Sequence, residues 1–367
     1  VVEFFYEYGM FFLKVLTFVI AVVVIIMAIV AAAMRGRNSD SGESGGHIEI
    51  RNFNDRLEDL EEALSISLLE PAQRKQAEKD KKVSDKAEKK AAKKAAKKAS
   101  KQRGSGETIV PEKTRPRLYV MDFDGDIRAS EVEKLRREIT AILTTATPED
   151  EIVVRLESGG GMVTSYGLAA SQLDRIRDKK IPLTICVDKV AASGGYMMAC
   201  VADKLVAAPF AVLGSIGVVA QIPNFHRLLK ELNVDFEMLT AGKYKRTLTV
   251  FGENTDEGRQ KFIEDIERIH GQFKGYVSAR RPKLDIEAVA TGEIWSGQDT
   301  LDLNLADILS TSDQYLVDAC EERDVLLLSY REKKNLMERF SLGAQSTIDG
   351  VLFKWFDRLM KSRYSIG

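Results

Sequence analysis

The sequence predicts an α/β domain with a largely parallel sheet, preceded by an N-terminal transmembrane helix and a Lys-rich helical linker. Two observations predict it. From Arg117 onward, short apolar runs alternate with helical stretches, the pattern of helices laid over a parallel sheet. Near the start, Val15 to Met34 is twenty residues without a charge, and a helix of that length spans about 30 Å, the hydrocarbon thickness of a bilayer.

The span reads as an uncleaved anchor, within about residues 12–34 of an N-terminal segment 1–36. A cleavable signal peptide is the competing reading, since Ala31-Ala32-Ala33 supplies small residues of the cleavage-site kind. Against it, the apolar run exceeds a typical signal core, and Glu3 and Glu7 make the leading segment acidic. Lys14 precedes the span, whereas Arg35, Arg37 and a Lys/Arg tract follow it. By the positive-inside rule the C-terminal bulk faces the cytoplasm.

Residues 37–116 read as a linker. Arg37 to Gly46 is rich in Ser and Gly. Asn54 to Leu69 has helical periodicity, with Leu57, Leu60, Leu64 and Leu68 on one face and Pro71 ending it. Arg74 to Lys101 repeats AAKK without an apolar stripe, as a solvated semi-rigid spacer does. This tract makes the rest of the chain acidic although the formal net charge is only −1. Its basic residues are not spread over a folded face, so nucleic acid is not an implied partner of the whole protein.

The main domain is placed at 117–310. Its predicted strands are Leu118–Phe123, Glu151–Leu156, Pro182–Val187 and Lys204–Ala208, and its helices Ser130–Thr145, Val163–Arg177 and Asp256–Arg280. A C-terminal region, 311–367, holds a strand at Val325–Tyr330 and an amphipathic helix at Ile348–Arg363, which reads equally as a membrane-surface, subunit-contact or core helix. Cys186, Cys200 and Cys320 show neither CxxC spacing nor partner histidines, and read as buried thiols rather than a disulfide or metal set.

Chemistry concentrates in two places. In Ala191-Ala192-Ser193-Gly194-Gly195-Tyr196 the small residues permit a tight strand-to-helix turn with Ser193 at a helix start. Free N–H groups there favour a developing negative charge, so an attacking Oγ would have an oxyanion hole beside it. In Glu157-Ser158-Gly159-Gly160-Gly161 a glycine run follows an apolar strand and exposes backbone N–H groups to an oxyanion or an extended substrate. There is no GxxxxGK[ST] pattern, so nucleotide binding is not indicated. The histidines are His47, His226 and His270; the last two fall in helical contexts. Lysines in Gly242-Lys243-Tyr244-Lys245-Arg246 are the other candidate base. A lysine acting so must lose its proton near neutrality rather than at about pH 10.4, roughly 4 kcal/mol of destabilisation of the charge.

Taken together, EIVVRLESGGGMV, VDKVAASGGYMMACVADKLVAAP, GSIGVV and TAGKYKRTLTVFGENT resemble the signal-peptide-peptidase family of Ser/Lys proteases over roughly Arg117–Ser310. The resemblance implies Ser193 as nucleophile and Lys245 as general base, with Lys243 as fallback. It implies oxyanion donors on Gly194 and on the glycine run, foremost Gly160, with Gly161 beside it. Gly159 stands where the family has proline. The implied fold is a ClpP/crotonase-like spiral of ββα units, and the implied assembly a homo-oligomeric ring or dome. The implied activity is membrane-anchored serine endopeptidase action on signal-peptide-like or membrane-derived peptides at the inner membrane, without metal or organic cofactor. Family members best known for this activity face the periplasm, opposite to the charge rule. A crotonase-like acyl-CoA enzyme and a non-catalytic membrane scaffold are the rival functions.

Overall fold

The computed structural model describes residues 17–18, 46–70, 73–74 and 115–331. The chain divides into two compact units, Ile48–Tyr330 and the two chain ends, Val1–His47 with Arg331–Gly367. Apart from Thr17, Phe18 and Arg74, the predicted membrane span, Lys-rich tract and C-terminal amphipathic helix lie outside the described residues. Among the described residues no helix is long and apolar enough to cross a membrane.

In chain order the elements are β1 (His47–Asn52), α1 (Phe53–Ser67), β2 (Arg117–Gly125), α2 (Val132–Ile142), β3 (Glu151–Ser158), α3 (Val163–Asp178), β4 (Leu183–Val187), β5 (Val190–Ala192) and α4 (Gly194–Ala199). Then come β6 (Lys204–Ala207), β7 (Val212–Gly214), α5 (His226–Glu231), α6 (Asp256–Arg280), α7 (Ile286–Val289), β8 (Ile294–Ser296), α8 (Gln298–Asp302), β9 (Ile308–Leu309), α9 (Ser312–Ala319) and β10 (Asp324–Arg331). The fold is mixed α/β, as the alternation predicts. The main sheet runs β1-β10-β2-β3-β4-β6-β9, parallel at every pairing from β10 to β9.

Both faces of this sheet are buried, which is why EIVVRL is apolar at successive rather than alternate positions. Met121, Phe123, Ile152, Val154 and Ile185 point into the larger core with Leu135, Ile139 and Leu173 of the helices. Their neighbours Leu118, Val120, Val153 and Cys186 point the other way, onto Leu316 of α9. Helix α6 begins where the sequence places it. Thr255 Oγ1 accepts from the Gly258 N–H, and Asp256 and Glu257 occupy the first turn, where carboxylates are favourable.

Three features differ from the sequence expectation. Strands β2 and β3 run past their apolar stretches, because the ladder continues through Asp124↔Glu157 and Gly125↔Ser158. The sheet also extends beyond Ser310: β10 pairs with β2, and Asn54 of α1 binds this edge, accepting from the Val325 N–H and donating to the Cys320 and Arg323 carbonyls. Finally, Leu60, Leu64 and Leu68 of the predicted apolar face of α1 are exposed, and Cys320 is only partly covered while Cys186 and Cys200 are buried.

A titratable group is buried where α2 meets β10. Glu138 is 0% exposed, its Oε1 accepts from the Tyr330 N–H at 2.7 Å, and its Oε2 has no hydrogen-bond partner among the described residues. Burial pushes its carboxyl up to about 7, against the Tyr330 hydrogen bond and the charge of Lys134, which lower it. A carboxyl whose folded pKa lies above its unfolded value is stabilising to the fold only while protonated. Stability therefore falls as pH rises from about 4.5 through about 7, by a few kcal/mol at most. Glu138→Gln should flatten this dependence and raise the thermal midpoint at pH 8 by about 2–4 °C, with little change at pH 5. Scanning calorimetry at the two pH values checks it.

Candidate active site

The site is assembled by a side branch of the sheet. Strand β5 pairs with β3, then β7 with β5, and β8 antiparallel with β7. The β3–β5 register, Ser158↔Ala191, ends two parallel strands side by side. Two residues further along each, Gly160 lies against Ser193. A Cβ on Gly160 would fall 2.8 Å from the Ser193 Cβ, 2.8 Å from the Ala192 carbonyl oxygen and 2.7 Å from the Gly194 nitrogen. Its φ of +89° also belongs to glycine. These two constraints explain why the glycine run is where it is.

Ser193 itself has φ 52° and ψ −118°, a conformation that costs a non-glycine residue about 1–3 kcal/mol. Its N–H donates to the Gly214 carbonyl at 2.8 Å, which helps hold the turn. The side chain does not cap α4, and Oγ makes no hydrogen bond among the described residues. The serine is thus strained, positioned and chemically uncommitted.

Ser193 opens onto a cavity of about 340 Å³, also lined by Gly161, Gly194, Val163, Met197, Val218 and Phe273. Tyr276 of α6 also lines it, and its hydroxyl donates to Asp174 at 3.0 Å. The lining is therefore mostly apolar, shaped for a hydrocarbon side chain next to the serine.

The structure brings Ser193, Gly160, Gly161 and Gly194 together. Their amides are not equivalent. The Gly160 N–H donates to Ser158 Oγ at 3.1 Å, whereas the Gly161 and Gly194 N–H groups have no partner among the described residues. The sequence reading ranks Gly160 first as donor; the geometry leaves Gly161 and Gly194 free for that task.

The lysines are placed differently. Both lie in the segment 218–255, which has little regular structure beyond α5. Lys245 is exposed; it does not line the cavity, and no hydrogen bond joins its Nζ to Ser193 among the described residues. Lys243 Nζ is 2.9 Å from Glu257 Oε1, and that hydrogen bond holds the Lys243 ammonium above the ordinary lysine range. Of the histidines, His270 contacts the Ile216 carbonyl through Nε2 at 3.2 Å, and His47 is exposed at the start of β1. Among the described residues no group of His, Cys, Asp and Glu could hold a metal ion.

Sequence reasoning passed over Ser158 and Tyr166. Ser158 Oγ is 2.5 Å from Tyr166 Oη, and both residues are buried. The available signal was a tyrosine on the apolar face of α3, because a buried phenol needs a hydrogen-bond partner.

Residues 3–173 match the profile described as peptidase family S49 N-terminal, and residues 175–326 that of peptidase family S49. A probable protease SohB of Haemophilus influenzae is 47% identical over 349 residues, covering 95% of this chain and 95% of its own. A putative protease SohB of Buchnera aphidicola (subsp. Baizongia pistaciae) is 37% identical over 355 residues, 97% of this chain and 99% of its own. Among solved structures, a membrane-bound stomatin-specific protease in complex with a substrate peptide aligns at a TM-score of 0.38 and 15% identity, over 62% of this chain and 98% of that one. Two profile matches that together span residues 3–326, interrupted only at residue 174, and a relative 47% identical over 95% of both chains establish that the chain belongs to peptidase family S49.

Proposed function

We propose that this peptidase is a membrane-anchored serine endopeptidase working through Ser193 and Lys245, with a ClpP/crotonase-like spiral as its catalytic fold. The observation that carries the reading is the state of Ser193: a strained, unbonded hydroxyl at the mouth of an apolar cavity, flanked by the unclaimed amides of Gly161 and Gly194. In the first step Oγ attacks the peptide carbonyl carbon and passes its proton to the neutral Lys245 amine. The resulting oxyanion receives the N–H groups of Gly161 and Gly194. The tetrahedral adduct collapses, the Lys245 ammonium protonates the departing amine, and an acyl-enzyme remains. Water then attacks the ester, giving its proton to Lys245, which returns it to the departing Ser193 Oγ as the acid product leaves.

The lysine is proposed to come from a neighbouring subunit. It is exposed, and the segment bearing it presents apolar surface, with Leu239 93% and Val219 81% exposed. Apolar side chains so exposed are what a second copy would cover, and covering them would exclude water from the amine. A homo-oligomer with a dyad at each subunit boundary follows. Anchoring by Val15–Met34 brings the particle to the inner membrane, where signal-peptide-like and membrane-derived fragments supply extended apolar substrates.

The test is covalent. A fluorophosphonate should label wild-type protein on Ser193, and the labelled protein should lose turnover of a fluorogenic peptide in proportion. A competent oligomer that resists labelling would favour an acyl-CoA enzyme of related fold; labelling without turnover would favour a scaffold.

The cavity makes a second expectation. Gly167 on α3 lines it, and a Cβ there would meet nothing within 4 Å. Gly167→Leu should therefore fill the cavity without strain. We expect kcat/KM to fall about 10- to 100-fold for peptides with leucine or phenylalanine before the scissile bond, and less than threefold for alanine. Equal losses for all three peptides would show that the cavity does not receive that side chain.

A further inference from the structure

Ser158 and Tyr166 form a chain of hydrogen bonds that ends on the glycine loop. Tyr166 Oη is 2.7 Å from the Asp126 carbonyl oxygen. A carbonyl only accepts, so the phenol proton points there. The phenol oxygen is then left as an acceptor, 2.5 Å from Ser158 Oγ. Ser158 gives its proton to that oxygen, with the Gly125 carbonyl at 3.2 Å as the weaker alternative. In either case a lone pair of Ser158 Oγ accepts the Gly160 N–H at 3.1 Å. The direction of donation runs Gly160, Ser158, Tyr166, Asp126, without a frustrated group.

The other end of Tyr166 meets the second half of the oxyanion hole. A Cβ on Gly194 would fall 2.5 Å from the Tyr166 Cγ, so the ring is the surface on which the Gly194 backbone rests. One fully buried tyrosine therefore bears on both peptides, on Gly194 directly and on Gly160 through Ser158. Its hydroxyl turns the Gly160 amide away from Ser193 through Ser158, and its ring supports the amide that follows the nucleophile. The segment after β2 completes the brace: the Ile127 carbonyl accepts from the Met162 N–H at 2.8 Å, and a Cβ on Gly161 would lie only 2.1 Å from that same oxygen.

We infer that Ser158 and Tyr166 are positioning residues of the oxyanion hole, which set Gly161 rather than Gly160 as the loop's donor. The inference rests on the reading of Ser193 as nucleophile and adds to it which side chains hold the donors in place. Neither residue touches the reacting atoms; their effect is confined to the placement of two N–H groups. A displacement of such donors by a fraction of an ångström weakens only the transition state.

The experiment compares Tyr166→Phe, Ser158→Ala and Ser158→Thr in the full-length oligomer. Tyr166→Phe removes one oxygen and keeps the ring under Gly194. It and Ser158→Ala should lower kcat about 10- to 100-fold with KM within about twofold. Affinity for a peptide boronate, which bonds to Ser193 Oγ and forms a tetrahedral anion, should fall by the same factor. Binding of the uncleaved peptide, measured in the Ser193→Ala background with and without Tyr166→Phe, should not change. Ser158→Thr keeps the hydroxyl and should restore most of kcat. The inference is overturned if Tyr166→Phe retains wild-type kcat, or if boronate and peptide binding weaken together. Should Tyr166→Phe not fold, the Ser158→Ala and Ser158→Thr pair decides, with equal activity in the two refuting the role of the hydroxyl. Wild-type protein unlabelled at Ser193, or an active Ser193→Ala, would instead reject the underlying nucleophile assignment.

Discussion

Ser193→Ala is expected to lower peptide hydrolysis by about 10⁴-fold or more, since removing a nucleophile leaves only the catalysis that binding and the oxyanion hole provide. The same position permits a sharper comparison. Ser193 sits at φ 52°, where a side chain is strained and glycine is not. Ser193→Gly should therefore be as inactive as the alanine variant yet more stable than wild type, by about 1 kcal/mol. Activity assays with thermal unfolding of the three proteins check both statements. Loss of activity in both variants, with stability ordered glycine above serine, is the signature of a backbone held under strain for the sake of its hydroxyl. If the alanine variant turned over peptide at the wild-type rate, Ser193 would have no part in the chemistry.

The parts of this molecule that were legible in the sequence are those set by local rules. Helix α6 could be read to the residue because Thr255 and the two carboxylates after it make a helix start with few alternatives. Strands β2, β3 and β4 could be read because a strand buried on both faces has to be apolar at successive positions. The serine and the glycine run could be read because small residues in those patterns suit a crowded turn. What could not be read was whatever depends on register. Nothing in the sequence says that Ser158 pairs with Ala191, and it is this pairing that sets Gly160 against Ser193. The family resemblance puts Gly160 foremost as donor, and the structure separates glycines that look alike in sequence: the Gly160 N–H is taken by Ser158 Oγ, whereas the Gly161 N–H has no partner among the described residues. The exposed leucines of α1 fail for a related reason, because periodicity reports that a helix has an apolar face and not what that face meets.

Lys245→Ala is expected to lower kcat by about 10³-fold or more. Arginine is not expected to rescue it, because a guanidinium keeps its proton throughout the working range. Lys243→Ala separates the two lysines. With Lys243 Nζ already 2.9 Å from Glu257, its loss should leave kcat within severalfold of wild type. Mixing then tests where the base comes from. Co-assembled Ser193→Ala and Lys245→Ala subunits, each inactive alone, regain working sites only if a lysine of one subunit serves the serine of the next. In a random one-to-one closed ring, about a quarter of the boundaries would pair an intact serine with an intact lysine. Recovery near that fraction requires a dyad shared between copies. No recovery, in particles shown to be mixed, requires instead that segment 218–255 carry Lys245 to Ser193 of its own subunit. The apolar surface around Leu239 and Val219 would then be turned inward by a movement of one chain and not by the approach of another.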